Sequence, residues 1–326
     1  MTVSEVPGDT RGFSGLQGPA WPNASAVCRE CPHVTVCICT FKRPTLLKRT
    51  LQGLEEQLSD GRFTYSVVVV DNDRNASAGD LVAAHSEASA LRVDYCIEPE
   101  QNIALARNRA VLHASGDYVA FIDDDECPSR TWLARLLAAC EAFGVDGALG
   151  PVRPQFDTPP PGWLLRSGLC ERTAHQTGQV LHFRQTRTGN ALLKRGILHA
   201  IDGPFRAAFA NGGEDQDLFR RLIECGYTFA WCSEAVVYEV VPPERQTRRY
   251  YLKRALLRGQ NERFTLTVRS VVKSLVAVPI YVVVLVIVAP FGQHRLMTVA
   301  VKLLDHLGKL LGSVGIIPVR GAYLAD

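Results

Sequence analysis

The sequence predicts an α/β fold: a mainly parallel, doubly wound sheet flanked by helices, followed by a hydrophobic helical tail. Three observations carry this expectation. From residue 33 onward, apolar runs of strand length alternate four times with stretches of helical periodicity. Those runs are apolar on both faces, as in a parallel sheet covered on both sides. Beyond residue 266 the chain becomes dense in Val, Ile and Leu. The 326 residues are enough for one large domain with an appendage or for two smaller domains. A formal net charge of +3, with 21% charged residues, excludes a disordered chain and a general nucleic-acid binder.

The elements follow in order. Residues 1–32 are polar and rich in Gly and Pro, and read as a flexible leader without the apolar segment of a secretory signal. The sequons at Asn23 and Asn75 therefore carry no meaning unless the chain is secreted. "HVTVCICTF", from His33, is the first strand. A helix follows with Thr45 as its cap and Leu46, Leu47, Thr50, Leu51 and Leu54 on one face. "YSVVVVD" is the second strand and ends in "DNDRNAS"; a helical stretch to about Ser89 and a short strand, "LRVDYCI", come next. "QNIALARNRAVLHASG" reads as a helix capped by Asn102, with Gly116 past its end. "YVAFI" is the fourth strand. Pro128-Ser129 opens a helix that sets Trp132, Leu133, Leu136, Leu137 and Cys140 on one face.

The Pro-rich "GPVRPQFDTPPPGW" breaks this alternation, as a linker or an extended edge segment. After it come "TGNALLKR", a helix bearing Leu218, Phe219, Leu222 and Ile223 that ends at Gly226, and strands in "YTFAWC" and "AVVYEV". Ten Cys are scattered through these elements and read as reduced, mostly buried small hydrophobes of a cytosolic domain. Cys28-Arg-Glu-Cys31, with His33 nearby, is half of a zinc pattern that lacks a second pair.

After Pro243 the chain turns basic and helical, with Arg245, Arg248, Arg249, Lys253, Arg254 and Arg258. "SLVAVPIYVVVLVIVAPF", extended back to Val271, is long enough to span a bilayer. The helix after it places Lys302, Asp305, His306 and Lys309 on one narrow stripe, as in a helix lying in a membrane interface. The competing reading is a buried hydrophobic helix pair. Density of Val and Ile flanked by Arg favours the membrane, with the basic residues on the cytoplasmic side.

The chemistry lies where strands end. "TFKRP", "DNDR" and "DDDE" all follow strands, and in a doubly wound sheet such ends gather in one crevice. Asp123, Asp124 and Asp125 could be solvated acids capping the next helix. Three adjacent carboxylates after an apolar strand are better explained by a cation. In an extended segment Asp123 and Asp125 face the same way and suit Mg²⁺ or Mn²⁺ completed by phosphate oxygens. Glu214 and Asp215 follow two glycines and could be helix N-terminal acids, or a carboxylate base beside an anionic ligand. Arg107 could clamp a phosphate, Arg109 could be a surface arginine, and Arg249 could meet a leaving diphosphate or an anionic membrane.

"VTVCICTFKRPTLLKRTL", "VVVVDND", "NIALARNRA", "YVAFIDDDE" and "GGEDQDLFRR" together resemble the family 2 inverting glycosyltransferases, over about residues 33–265. "EPEQNIALARNRA", "TGNALLKR" and "WCSEAVVYEVVPPER" further resemble bacterial succinoglycan-type exopolysaccharide glucosyltransferases. The resemblance implies a GT-A fold with a Rossmann-like sheet. Residues 33–150 would be its nucleotide-sugar half, 151–265 its acceptor half and 266–326 a membrane-associated tail. It implies that Thr40, Phe41 and Arg43 border the nucleotide base and that Asp71 holds base or ribose. Asp123, Asp124 and Asp125 match the DXD element, with Asp123 on ribose or metal and Asp125 on the divalent ion. Asp215 matches the catalytic base, with Glu214 orienting the acceptor. "QTRRY" has Tyr250 where processive relatives carry Trp, which implies transfer of a single sugar.

The expected function is metal-dependent, inverting transfer of one hexose, glucose by resemblance. It runs from a UDP-sugar to a lipid-linked saccharide at the cytoplasmic face of the bacterial inner membrane. Two rivals share the acids: a non-catalytic membrane-tethered nucleotide-binding scaffold, and a sugar nucleotidyltransferase.

Overall fold

A computed structural model describes residues 31–210, 212–262 and 267–319. Most of the expected leader, Cys28 of the half zinc pattern and the Asn23 sequon lie outside the described residues.

Four βα steps open the fold. The strands are β1 (His33–Thr40), β2 (Thr64–Asp71), β3 (Val93–Ile97) and β4 (Tyr118–Phe121). The helices between and after them are α1 (Pro44–Glu55), α2 (Gly79–Ala88), α3 (Ile103–His113) and α4 (Trp132–Phe143). All four strands run parallel in the order β3-β2-β1-β4. Alternate residues of β1 go to opposite faces. Val34, Val36 and Ile38 meet Leu47, Leu51 and Leu54 of α1, whereas Cys37 meets Ala104, Ala106 and Ala110 of α3. The small side chains of α3 bring that helix close to the sheet.

β6 (Gly147–Leu149), β8 (Ala191–Lys194) and β9 (Phe229–Trp231) extend the sheet to seven strands, with β8 running against β4 and β6. The antiparallel β8 is not visible in the residue pattern, because a buried strand reads the same in both directions. It joins the two halves of the chain in one sheet.

A second sheet was not expected. β5 (Glu126–Pro128), β7 (Val152–Gln155) and β10 (Val237–Val240) pair in the order β5-β10-β7. The Pro-rich segment supplies β7 as an edge strand, where Pro154 costs no ladder bond of the central sheet. β5 begins three residues past Asp123, so this sheet stands just beyond the carboxyl end of β4.

One local expectation changes and another holds. α1 starts with Pro44 at its first turn and Arg43 at the cap, so Thr45 lies inside the helix and caps nothing. Asn102 does cap α3, its side chain accepting from the Ala104 amide.

α5 (Gly162–Ser167), α8 (Arg248–Asn261) and α10 (Gln293–Ser313) share an apolar cluster of Trp163, Leu164, Tyr251, Ala255, Met297 and Val301. α8 and α10 touch backbone to backbone. A Cβ on Gly259 would lie 2.1 Å from the Asp305 carbonyl oxygen, and one on Gly308 2.3 Å from that of Leu256. α9 (Val268–Val288) is exposed along its length, with Val268, Val276, Val283 and Val286 all open. Within this chain α9 therefore keeps most of its apolar surface uncovered, against the buried-pair reading. Val268–Phe291 is long and apolar enough to cross a membrane by length and composition.

The polar stripe of α10 does not face outward as expected. Asp305 accepts from Arg258 of α8, Lys309 pairs with Glu262 and His306 bonds Ser274 of α9. Its charges hold helices together, because three of its four residues find partners on neighbouring elements; Lys302 stays exposed.

Candidate active site

The three strand ends predicted to converge are neighbours, since β2, β1 and β4 are adjacent. Their polar side chains meet one another directly. Thr40 donates its hydroxyl to Asp124 Oδ2 at 2.7 Å. Arg43 reaches Asp124 Oδ1 and Asp125 Oδ2, each at 3.4 Å. Thr40 and Arg43, expected at a base, thus hold the acid triplet from behind. Phe41 is half-buried, with the Lys42 ammonium 5.1 Å from its ring centre.

The triplet is a turn and not an extended segment, because the Glu126 amide bonds back to the Asp123 carbonyl at 3.2 Å. Asp123 and Asp125 therefore do not share a side as the extended reading required. Asp123, with a side chain 42% exposed, turns to Arg107. Asp125 is buried and accepts from Arg245 at 2.7 Å. Arg43 and Arg245 both reach Asp125 at Oδ2. Burial, then the charge of Asp125, pushes the Asp124 carboxyl up to about 7.

Asp71, expected to touch a ligand, is fully enclosed. Its oxygens accept from the Asp73 and Ala78 amides at 3.0 and 2.7 Å and from the Tyr95 hydroxyl at 2.9 Å. Here it shapes the loop after β2. Asn72 continues that work, bonding the Glu98 and Glu100 carbonyls and the Asn102 amide.

α7 (Glu214–Glu224) brings the second acid pair to the same crevice. Gly213 precedes it at φ +97°, a left-handed turn that favours glycine. Glu214 is buried and ion-paired to Arg107, whose other terminal nitrogen lies 3.3 Å from Asp123 Oδ1. Arg107, expected to clamp phosphate, is a buried bridge between the two acid sites. Burial pushes the Glu214 carboxyl up to about 7, and the Arg107 charge opposes this. Oε2 of Glu214 has no hydrogen-bond partner. Asp215, next along, is half-buried and accepts from the Gln216 amide. Arg109 pairs with Glu98 at 2.9 Å, outside this group.

Four residues of the site went unsingled in the sequence. Glu126, the fourth acid of "DDDE", is wholly buried, and its pKa is raised by burial and then by Asp123. Glu239 lies opposite it across the β5–β10 pair, and Arg172 sits between them, paired to both. Arg245, not Arg249, reaches the triplet. Arg249 instead lines a cleft of about 590 Å³ with Leu252, Lys253, Leu256, Leu304, Pro318 and Val319. Adjacency to the aspartates pointed to Glu126; nothing local marked Arg172 or Glu239.

Among the described residues no group of three or more His, Cys, Asp or Glu side chains is arranged to hold a metal ion, but two carboxylates face one point. A Cβ on Gly189 would lie 2.8 Å from Asp123 Oδ2 and 3.0 Å from Glu126 Oε1, so two carboxylate oxygens converge where glycine leaves room. Glu126 Oε1 is buried without a hydrogen-bond partner. Hard oxygen donors of this kind suit Mg²⁺ or Mn²⁺.

An α/β protein with acids from β4 and α7 gathered beyond the carboxyl ends of its strands has the layout of a group-transfer enzyme. Residues 35–202 match the glycosyl transferase family 2 model, and the chain belongs to this family. It is 36% identical over 235 residues to the succinoglycan biosynthesis protein ExoM of Rhizobium meliloti, covering 71% of this chain and 74% of that protein. It is 26% identical to the glycosyltransferase AglE of Haloferax volcanii, covering 63% and 66%. The mannosyltransferase PcManGT of Pyrobaculum calidifontis, solved with GDP-Man and Mn²⁺, superposes with a TM-score of 0.53 at 19% identity, covering 87% of this chain and 73% of that one. That likeness shows a shared fold, the GT-A type. The protein is a glycosyltransferase, which sets aside the scaffold and nucleotidyltransferase readings.

Proposed function

We propose that this glycosyltransferase moves one hexose, glucose by resemblance, from a UDP-sugar to a lipid-linked saccharide in exopolysaccharide biosynthesis. The observation that carries the reading is Arg107, whose guanidinium joins Asp123 on the donor side to Glu214 on the acceptor side. Such a bridge puts both acid sites within one substrate length. The likeness to a succinoglycan biosynthesis protein supports the polysaccharide context.

In this reading Asp123 holds Mg²⁺ or Mn²⁺ with Glu126 beside it, and Asp125, engaged by Arg245, joins them by turning its carboxylate toward the ion. When bound, the ion supplies positive charge to a departing nucleoside diphosphate. Phe41, with Thr40 and Arg43 beneath it, borders the base. Asp215, at the first turn of α7, takes the proton of an acceptor hydroxyl late in the transfer, as the new bond forms. Glu214, fixed by Arg107, orients that hydroxyl. Attack from the face opposite the diphosphate, through an oxocarbenium-like state, inverts the anomeric centre in one displacement. Exposed α9 supports attachment to the cytoplasmic face of the inner membrane, with the arginines of α8 on the cytoplasmic side.

A screen of UDP- and GDP-sugars with and without Mn²⁺ tests the donor. Asp125→Ala is expected to lose metal-dependent donor hydrolysis. Asp215→Asn is expected to keep donor binding and lose transfer, and full transfer by this variant removes Asp215 as the base.

A further inference from the structure

Arg249 takes no part in the acid site and has surroundings of its own. With Lys253, one helical turn further along α8, it lines a cleft of about 590 Å³. The other walls are aliphatic: Leu252 and Leu256 from α8, Leu304 from α10, and Pro318 and Val319 from the segment after α10. That volume falls within the roughly 300–1,000 Å³ of small-molecule sites. The walls are fixed. α8 and α10 meet with no room for a Cβ at Gly259 or Gly308. Gly315, at φ +77°, turns the chain back after α10. The Gln260 side chain, 2% exposed, then holds Val319 by both backbone groups, donating to its carbonyl and accepting from its amide, each at 3.2 Å. α10 also carries α9 through the His306–Ser274 bond, so the cleft lies one helix away from the exposed apolar helix.

The charge on this cleft has one sign. Arg258, further along α8, pairs with Asp305, and Arg254 bonds the Tyr250 hydroxyl. Arg249 and Lys253 are exposed and make no ion pair or hydrogen bond among the described residues. No acidic side chain among the described residues lines the cleft. Like charges four residues apart on a helix repel, and an anion between them removes that cost. The loop that closes the cleft is apolar and open, with Val314, Ile316 and Ile317 all exposed. Exposed aliphatic side chains beside two cations suit a molecule with an anionic head and a hydrocarbon body. Continuity with α9 selects the bilayer as its source.

We propose that the cleft between α8 and α10 is a binding site for an anionic phospholipid of the bilayer. Its phosphate meets Arg249 and Lys253, and its acyl chain lies along Leu252, Leu256 and Leu304. The site rests on the membrane attachment read from α9 and is independent of which sugar is moved. A lipid held there sets α8 at headgroup level, an orientation that a single spanning helix leaves free to tilt.

Native mass spectrometry of the full chain in nonionic detergent, titrated with dioleoyl phosphatidylglycerol or dioleoyl phosphatidylcholine, tests this. Phosphatidylglycerol is expected to bind roughly fivefold or more tightly than phosphatidylcholine. Arg249→Gln and Lys253→Gln are each expected to weaken it about fivefold, the scale of one basic residue near an anionic headgroup. Leu256→Trp fills the cleft at unchanged charge and is expected to weaken it too. Lys302→Gln removes an exposed cation outside the cleft and is expected to leave it unchanged. Equal affinity for both lipids overturns the site, as does wild-type affinity in both cleft Gln variants with native unfolding transitions. Equal losses in Lys302→Gln and the cleft variants also overturn it, because surface charge in general then explains the preference. Capture seen only in a chain ending at Val319 assigns the cleft to residues 320–326 and overturns lipid as its occupant. Wild-type protein that fractionates with membranes but prefers neither lipid overturns the cleft and leaves the α9 attachment standing. Soluble protein that still selects phosphatidylglycerol does the reverse.

Discussion

Replacing Arg107 with Met keeps the aliphatic stem of a buried residue and deletes the charge between Glu214 and Asp123. The two ends of the bridge weigh differently. Glu214 has a side chain only 5% exposed, so losing its partner strands a carboxylate away from water, a change that costs about 3–5 kcal/mol. Asp123 is 42% exposed, and water screens its end to about 0–1 kcal/mol. The stem also loses its guanidinium contact over Phe205, 5.8 Å away, for roughly another 0.5–1 kcal/mol. The sum is a large part of the about 5–15 kcal/mol that holds an ordinary domain together. Urea unfolding of the wild type, Arg107→Met, Glu214→Gln and the double variant measures it. In the double variant the stranded charge is gone, so most of the loss should return, giving a coupling of about 2–3 kcal/mol in the cycle. Additive losses would refute the claim that Arg107 neutralises Glu214.

Three further outcomes follow from the same geometry. The folded-state pKa of Glu214, pushed up to about 7, lies above its unfolded value, so its contribution to stability is fully present below about pH 4.5 and is lost as pH rises through 7. Glu214→Gln should therefore gain on the wild type between pH 5 and pH 8, and identical pH slopes in urea unfolding would contradict this. Gly308→Leu should pry α10 from α8, because even a Cβ there lies 2.3 Å from a backbone oxygen; a cost of about 2 kcal/mol or more and faster proteolysis after Ser313 or within α10 are expected. Substituting Val276, Val283 and Val286 with Ser should shift the full chain from the membrane fraction to the soluble fraction without changing its melting temperature, since all three are exposed.

Much of the site could be read along the chain because its acids sit next to punctuation. The triplet closes an apolar strand, and Glu214 and Asp215 follow a glycine pair, so local pattern alone brought them forward. Asp71 stood out by the same rule and is enclosed, because a strand-end carboxylate can serve its own loop amides as well as a ligand. Arg245 and Arg172 escaped notice for the opposite reason. Their partners Asp125 and Glu239 lie 120 and 67 residues away, and no local spacing encodes such a pair.

By itself the amino-acid order determined the βα alternation, the covered parallel strands, the acids at their ends and an apolar C-terminal helix. Each of these follows from periodicity and turn chemistry within about a dozen neighbouring residues. Only the tertiary structure decided that β8 runs backward, that a second sheet stands over the acids, and which guanidinium meets which carboxylate. Those outcomes depend on long-range packing and on burial, which sets the strength of every charge in the crevice.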